Sequence, residues 1–113
     1  MTRQNKTIGA ALACVALRQG RRVELQYGGY TRTVEIHAVG ATSSGHPVVL
    51  VWQVSGGSVS GQAEGWKLLR LDEMGPMVVT HETSLAPRPG FNPDRNAMPI
   101  VHCRCQASET LQA

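Results

Sequence analysis

The first 22 residues contain no acid. They carry Arg3, Lys6, Arg18, Arg21 and Arg22, so a chain of net charge +3 holds five positive charges at one end and a net −2 elsewhere. A basic end of this kind attracts phosphates, nucleic acid or an acidic surface; the competing reading is a solvated helix with basic ends. Cysteine is scarce and odd in number, at Cys14, Cys103 and Cys105. That count is not a disulfide framework, and a reduced, cytoplasmic setting is its simplest fit. Aromatics make up 4% of the chain and charged residues 17%, so the surface leans on Gly, Ser, Thr, Gln and Asn. Long apolar runs are missing as well. The run before Cys14 is six residues, short of the ~7–15 of a secretion signal and far short of the ~20 of a membrane span. It reads as part of a helix, and no membrane partner is expected.

What is present suits one folded domain. The 113 residues are 42% apolar, with twelve glycines and six prolines. So many turn residues in a short chain favour strands over helices. Residues 7–19 read as a helix with Ile8, Leu12, Val15 and Ala16 on one face, Thr7 as its cap and Gly20 at its end. The period then changes to two. Val23, Leu25 and Tyr27 alternate with Glu24 and Gln26 in a first strand, and Gly28-Gly29 marks a tight turn. A second strand from about Tyr30 to Val39 puts Val34, Ile36 and Ala38 on one face and Thr33, Glu35 and His37 on the other. Val48–Val54 is nearly all apolar, as in a central strand covered on both faces. A Gly/Ser loop from Ser55 to Gly65, expected to be mobile, leads to a fourth strand from about Trp66 to Leu71. Gly75-Pro76 breaks the chain before a short fifth strand, Met77–Thr80.

After Leu85 the prolines at 87, 89, 93 and 99 punctuate a stretch without period. An extended tail lying over the domain is expected, with Ile100–Cys103 as an added edge strand and the last seven or so residues disordered. The fold class is therefore mainly β (α+β): an N-terminal helix, then a small five-stranded barrel of the Sm or SH3 type, closed so that short strands leave no exposed edges. Residues 7–84 form the domain, and 85–113 a Pro-rich tail.

The order of motifs adds a resemblance. Val23-Glu24-Leu25-Gln26-Tyr27, then Val34-Glu35-Ile36-His37, then Leu69-Arg70-Leu71-Asp72 resemble the WYL domain, a bacterial Sm-like β-barrel module, over roughly residues 8–80. Val48-Val49-Leu50 stands where that family carries Trp-Tyr-Leu, so only the Leu matches. Glu73 replaces a frequent basic residue, and the family's DNA-binding winged helix is absent. The resemblance implies a stand-alone, diverged member that senses a ligand or nucleic acid in transcription regulation or defence. It also implies a polar, basic pocket built from the first-strand Tyr, the second-strand His and the fourth-strand Arg.

The ligand-binding set expected on this basis is Tyr27, Arg32, His37, Trp66, Lys67 and Arg70. Arg offers a planar fork that matches phosphate or carboxylate, Lys a point charge, and His37 a group whose charge follows pH. Trp66, beside Gly65 at a loop edge, could stack a base, whereas Trp52 inside an apolar run reads as core. The competing reading pairs Arg70 with Glu35, Asp72 or Glu73 and leaves His37 as a strand-edge cap. Cys103-x-Cys105 with His102 falls short of the four ligands of a structural zinc, since Cys14, His37, His46 and His81 are scattered. Ser55, Ser58 and Ser60 lie in a Gly-rich loop without a nucleophile elbow or the Lys of a phosphate-binding loop. The chain thus reads as a non-enzymatic regulatory module that binds an anionic ligand and needs no cofactor. Its expected partners are a nucleotide or single-stranded nucleic acid, a regulatory protein, or a second copy of itself. The alternatives are a direct RNA or single-stranded DNA binder of the Sm type, and a protein–protein interaction domain acting through an edge strand or the Pro-rich tail.

Overall fold

The computed structural model describes residues 2–59, 61–91 and 98–105, and for residues 2–8 the backbone alone. The Ile8 side chain, Ser60, Pro93 and the last seven residues lie outside that set, while Thr7, expected as a cap, falls within the helical backbone. Helix α1 (Thr2–Gln19) leads into strands β1 (Arg21–Tyr27), β2 (Tyr30–Ala41), β3 (Pro47–Gly56), β4 (Gly65–Arg70), β5 (Met77–Thr83) and β6 (Ile100–Arg104). A single 3-10 turn, Leu71–Glu73, separates β4 from β5. The helix starts earlier than Thr7 because Arg3, Gln4 and Lys6 are straight-chain residues that favour helix.

All strand pairs are antiparallel, in the order β4-β3-β2-β1-β5. The sheet does not close: among the described residues β4 and β5 form its two ends and do not pair. The expected five-stranded barrel is thus corrected to an open six-stranded sheet. β2 is longer than β1, so β1 covers its edge only from Tyr30 to Val34, and β6 takes the stretch from Ala38 to Ala41. Gly40 permits that approach, because a Cβ there would collide with the Ile100 carbonyl and the Met98 sulfur.

One face of the sheet packs on α1. Val23, Leu25, Val34, Ile36, Val39, Val49, Val51, Leu69 and Leu71 meet Ala13, Cys14 and Ala16 there. Alternation accounts for most of this list. It fails at one place: Ile36 pairs with Val51 and Ala38 with Leu50, which leaves His37 as an inserted bulge residue. A bulge flips the alternation of everything after it. Val39 therefore joins the inner core, and Ala38, expected beside Val34 and Ile36, joins Val48, Leu50 and Met98 in a second cluster. The helix is also turned from its expected orientation. Val15 is 39% exposed, while Ala13 and Ala16 are fully buried; small side chains bring the helix axis close to the sheet. Cys14 on this buried face is bonded to Cys103 of β6, 89 residues away in sequence. The expectation of three reduced cysteines is corrected accordingly, and only Cys105 is a free thiol.

Candidate functional site

The six residues expected to form one pocket fall into separate places. Arg32 is 3% exposed and fully engaged. Its Nε and Nη2 donate to the Tyr27 carbonyl at 3.1 and 2.9 Å, and Nη1 donates to Gln53 Oε1 at 3.2 Å. The rings of Tyr27 and Tyr30 lie 5.3 and 5.9 Å from its guanidinium carbon. Carbonyl, amide and ring faces together offset the cost of burying this cation. Arg32 therefore pins the β1–β2 turn rather than facing a ligand.

Arg70 belongs to a second group. Its Nε and Nη2 grip Asp72 at 3.0 and 2.6 Å, Nη1 lies 3.7 Å from Glu73, and Nη2 is 3.1 Å from His46 Nδ1. The Tyr27 hydroxyl accepts the Arg70 N–H and donates to Glu73 Oε1, both at 3.2 Å. The hydrogen bonds that the Arg70 guanidinium donates to Asp72 hold it above its ordinary pKa. Two carboxylates around one guanidinium leave this corner with no positive surplus for an anion. Lys67 is apart again, donating to Ser58 Oγ at 3.1 Å and to the Gln62 carbonyl at 2.9 Å. It ties down the glycine-rich connection between β3 and β4.

His37 and Trp66 do come together, on the sheet face away from α1. The His37 ring packs edge-on against Trp66 at 4.7 Å and lies 5.2 Å from Phe91; Trp52 meets Trp66 edge-on at 5.4 Å. Two of the chain's five Phe, Trp and Tyr rings thus flank one histidine, and a third, Trp52, backs Trp66. Glu35, fully buried, sits beside them and pairs with Trp52 across the sheet. Residues 84–91 cross this face as a strap. The Arg88 Nε and Nη2 donate to Glu35 at 2.7 and 3.2 Å, and its guanidinium lies over the Trp52 ring at 5.4 Å. The Leu85 N–H donates to Glu35 Oε2 at 2.9 Å, and Arg22 Nε reaches the same oxygen at 2.9 Å. Gly90, at φ +93°, turns the chain back so that Phe91 stacks on Trp66.

The electrostatics follow from burial and partners. Burial works to raise the Glu35 carboxyl, but hydrogen bonds from Arg88, the Leu85 N–H and Arg22 prevail and hold it below the ordinary carboxylate range. Burial pushes His37 down; the bond with the Glu35 carbonyl and the Glu35 charge only partly oppose this. Its Nε2 lies 2.9 Å from the Arg88 backbone nitrogen, which donates, and Nδ1 lies 3.0 Å from the Glu35 carbonyl. An acceptor at Nε2 requires the neutral ring with its proton on Nδ1. Burial, with a smaller push from the Glu35 charge, raises the Cys105 thiol to about 11, so it rests protonated and is a poor nucleophile. Sequence reasoning named neither Arg88 nor Phe91; the only signal was Pro87-Arg88-Pro89, a lone basic residue between two φ-restricted ones.

Elsewhere, a groove of about 640 Å³ runs between α1, the β2–β3 turn and β6. Ala10, Ala11, Val15 and Pro47 form its apolar wall, with the Arg18 guanidinium and the His102 ring at its edge. No acid lines it. Among the described residues, no three His, Cys, Asp or Glu side chains gather as a metal site, and no helix is long and apolar enough to cross a membrane.

Fold and site together define a class: a small antiparallel β domain with a helix on one face and a polar, aromatic strap on the other. No family model matches the chain, and neither a curated protein nor a solved structure matches it.

Proposed function

We propose that this chain is a small regulatory binding module, WYL-like and without catalytic activity, that takes an anionic ligand on its basic side. The observation that carries this reading is the groove beside α1. Its volume lies within the ~300–1,000 Å³ of small-molecule sites, and a mostly apolar wall with a few polar groups is their usual lining. Arg18 gives it a positive charge, and belongs to a helix whose sequence holds Arg3 and Lys6 and no acid. The strand order, which runs through β1 from β5 to β2, and the 3-10 turn before β5 also suit the Sm-like and SH3-like plan that the WYL resemblance implies.

This reading puts the anion on the helix side rather than at the expected Tyr27, Arg32, His37, Trp66, Lys67 and Arg70, because the cations of that set, Arg32, Lys67 and Arg70, are already engaged. A bacterial cytoplasmic setting belongs to the WYL reading. The Cys14–Cys103 bond weighs against a strongly reducing compartment, where disulfides are rare.

The test starts with what the protein carries. Purified at low salt, it is denatured and the released small molecules are weighed by mass spectrometry. A fluorescent nucleotide and a labelled single-stranded oligonucleotide are then titrated against wild type, Arg18→Ala and Arg70→Ala. The expected result is saturable binding that Arg18→Ala weakens by about ten- to a hundredfold, a charge-assisted contact being worth roughly 1.5–3 kcal/mol, and that Arg70→Ala leaves unchanged. Steep loss of the oligonucleotide with salt would favour the direct nucleic-acid binder. Absence of any released or titrated anion at low salt would overturn the proposal.

A further inference from the structure

The outer face has the anatomy of a receptor whose occupant happens to be covalently attached. We propose that the face formed by Glu35, His37, Trp52 and Trp66 is a recognition site for an arginine-bearing, proline-flanked protein segment. In this structure the chain's own residues 84–91 fill it. The proposal is independent of the anion groove, since it concerns the opposite side of the sheet and the opposite charge.

Four observations carry it. First, the strap is read by specific chemistry rather than by shape alone. The Arg88 guanidinium is held by a fully buried carboxylate at 2.7 and 3.2 Å and laid over the Trp52 ring. A carboxylate beside an aromatic face is how proteins select a guanidinium over other side chains. Second, the backbone is read too. The Leu85 N–H goes to Glu35 and the Arg88 N–H to His37 Nε2, so the main chain of the strap supplies donors to both buried acceptors. Third, Phe91 closes the far end against Trp66 and His37. Aromatic-lined faces that dock proline-rich segments are a recurrent mode of peptide recognition. Fourth, the fit is incomplete. Trp52 Nε1 is buried, and no acceptor among the described residues meets it. A buried donor left unmade costs roughly 1–3 kcal/mol, so a segment that also offers a carbonyl there would bind better than the strap does.

Arg22 stays on Glu35 when the strap lifts, because it comes from β1. The emptied site therefore keeps a screened carboxylate opposite Trp52 instead of a bare buried charge. A partner segment competes with a tethered one, whose effective concentration for a short connection is in the millimolar range. The wild-type protein is thus a poor receptor by construction, and loosening the strap is what reveals the site.

The experiment uses the full chain carrying Phe91→Ala, which weakens the strap but leaves the Arg88–Glu35 pair intact. The probe is the synthetic peptide Ser-Leu-Ala-Pro-Arg-Pro-Gly-Phe, with the sequence of residues 84–91, followed by the fluorescence of Trp52 and Trp66. The expected result is saturable binding about tenfold or more tighter in the variant than in wild type, in proportion to the gain in open protein, and loss of binding when the peptide's Arg is replaced by Ala. If Phe91→Ala disturbs the far-ultraviolet circular dichroism, Pro89→Ala serves instead. No saturable binding to a folded variant, or equal binding of the Ala-substituted peptide, would overturn the proposal. A concentration-dependent dimer that takes up no peptide would overturn it too, and would assign the face to a second copy's strap.

Discussion

The two faces of the sheet are held in different ways. The face under α1 is almost entirely aliphatic: Val23, Leu25, Val34, Ile36, Val49 and Val51 are each 1% exposed or less. Its cohesion comes from area removed from water, and no single contact decides it. The strapped face buries Glu35 and His37 just as completely, yet almost every contact there is directional. An aliphatic face tolerates shifts and substitutions of similar volume. A buried carboxylate does not, because removing one partner leaves a charge in a poor solvent. The first face therefore sets how firmly the domain is folded, and the second sets whether the strap is in place.

Substitutions that break one face at a time sharpen this contrast. The largest effect is expected from Ile36→Ala, which opens a cavity beneath α1. Urea unfolding should show a loss of roughly 2–5 kcal/mol, with tryptophan emission of the folded state unchanged. Arg88→Ala should cost less, about 1–3 kcal/mol, since Arg22 and the Leu85 N–H remain on Glu35. Its folded-state emission should change markedly as Trp52 loses its guanidinium neighbour. If Arg88→Ala cost as much as Ile36→Ala with no change in emission, the two faces would be one cooperative core.

The smallest effect is expected from acid. His37 titrates below its ordinary 6.5 in the fold, so below pH 6.5 the unfolded chain binds more protons and stability falls as pH drops. The charged groups around it act in the same setting: Glu35 on its own strand, and Arg88 from the strap, itself under the influence of Glu64. Glu35 lies below its ordinary 4.5, and its contribution, present above pH 4.5, is lost as pH falls through the folded value. Both signs agree. Protonated His37 cannot accept the Arg88 N–H, so tryptophan emission should report strap release as the pH falls below 6.5, ahead of loss of the far-ultraviolet signal. Emission that is flat over this range would show that the strap does not depend on His37.

How much of this was legible in the sequence divides along the same line. Alternation placed Val23, Leu25, Val34 and Ile36 correctly, because a period of two is a local property of the chain. It misplaced Ala38, since nothing local announces the bulge at His37. The helix face was misread because Val15 outweighed alanines on hydrophobicity, while the close approach of Ala13 and Ala16 and the bond at Cys14 decided the orientation. The candidate cations were visible one by one. Their carboxylate and carbonyl partners were not, because Arg88 meets Glu35 across 53 residues and Cys14 meets Cys103 across 89. Pairings at that range leave no periodic trace. The WYL resemblance drew attention to His37 and Arg70, and the geometry around each is self-contained.

The bond between Cys14 and Cys103 gives the molecule a topological property. From one sulfur to the other the polypeptide is a ring that takes in β1 to β5, the strap and β6 as far as Cys103. A single protease cut in the Ser55–Gly65 connection would therefore release no fragment: the mass would rise by one water and the migration on a non-reducing gel would hardly change. Only a thiol reductant would separate the two pieces, and until then each strand would keep its neighbours within reach.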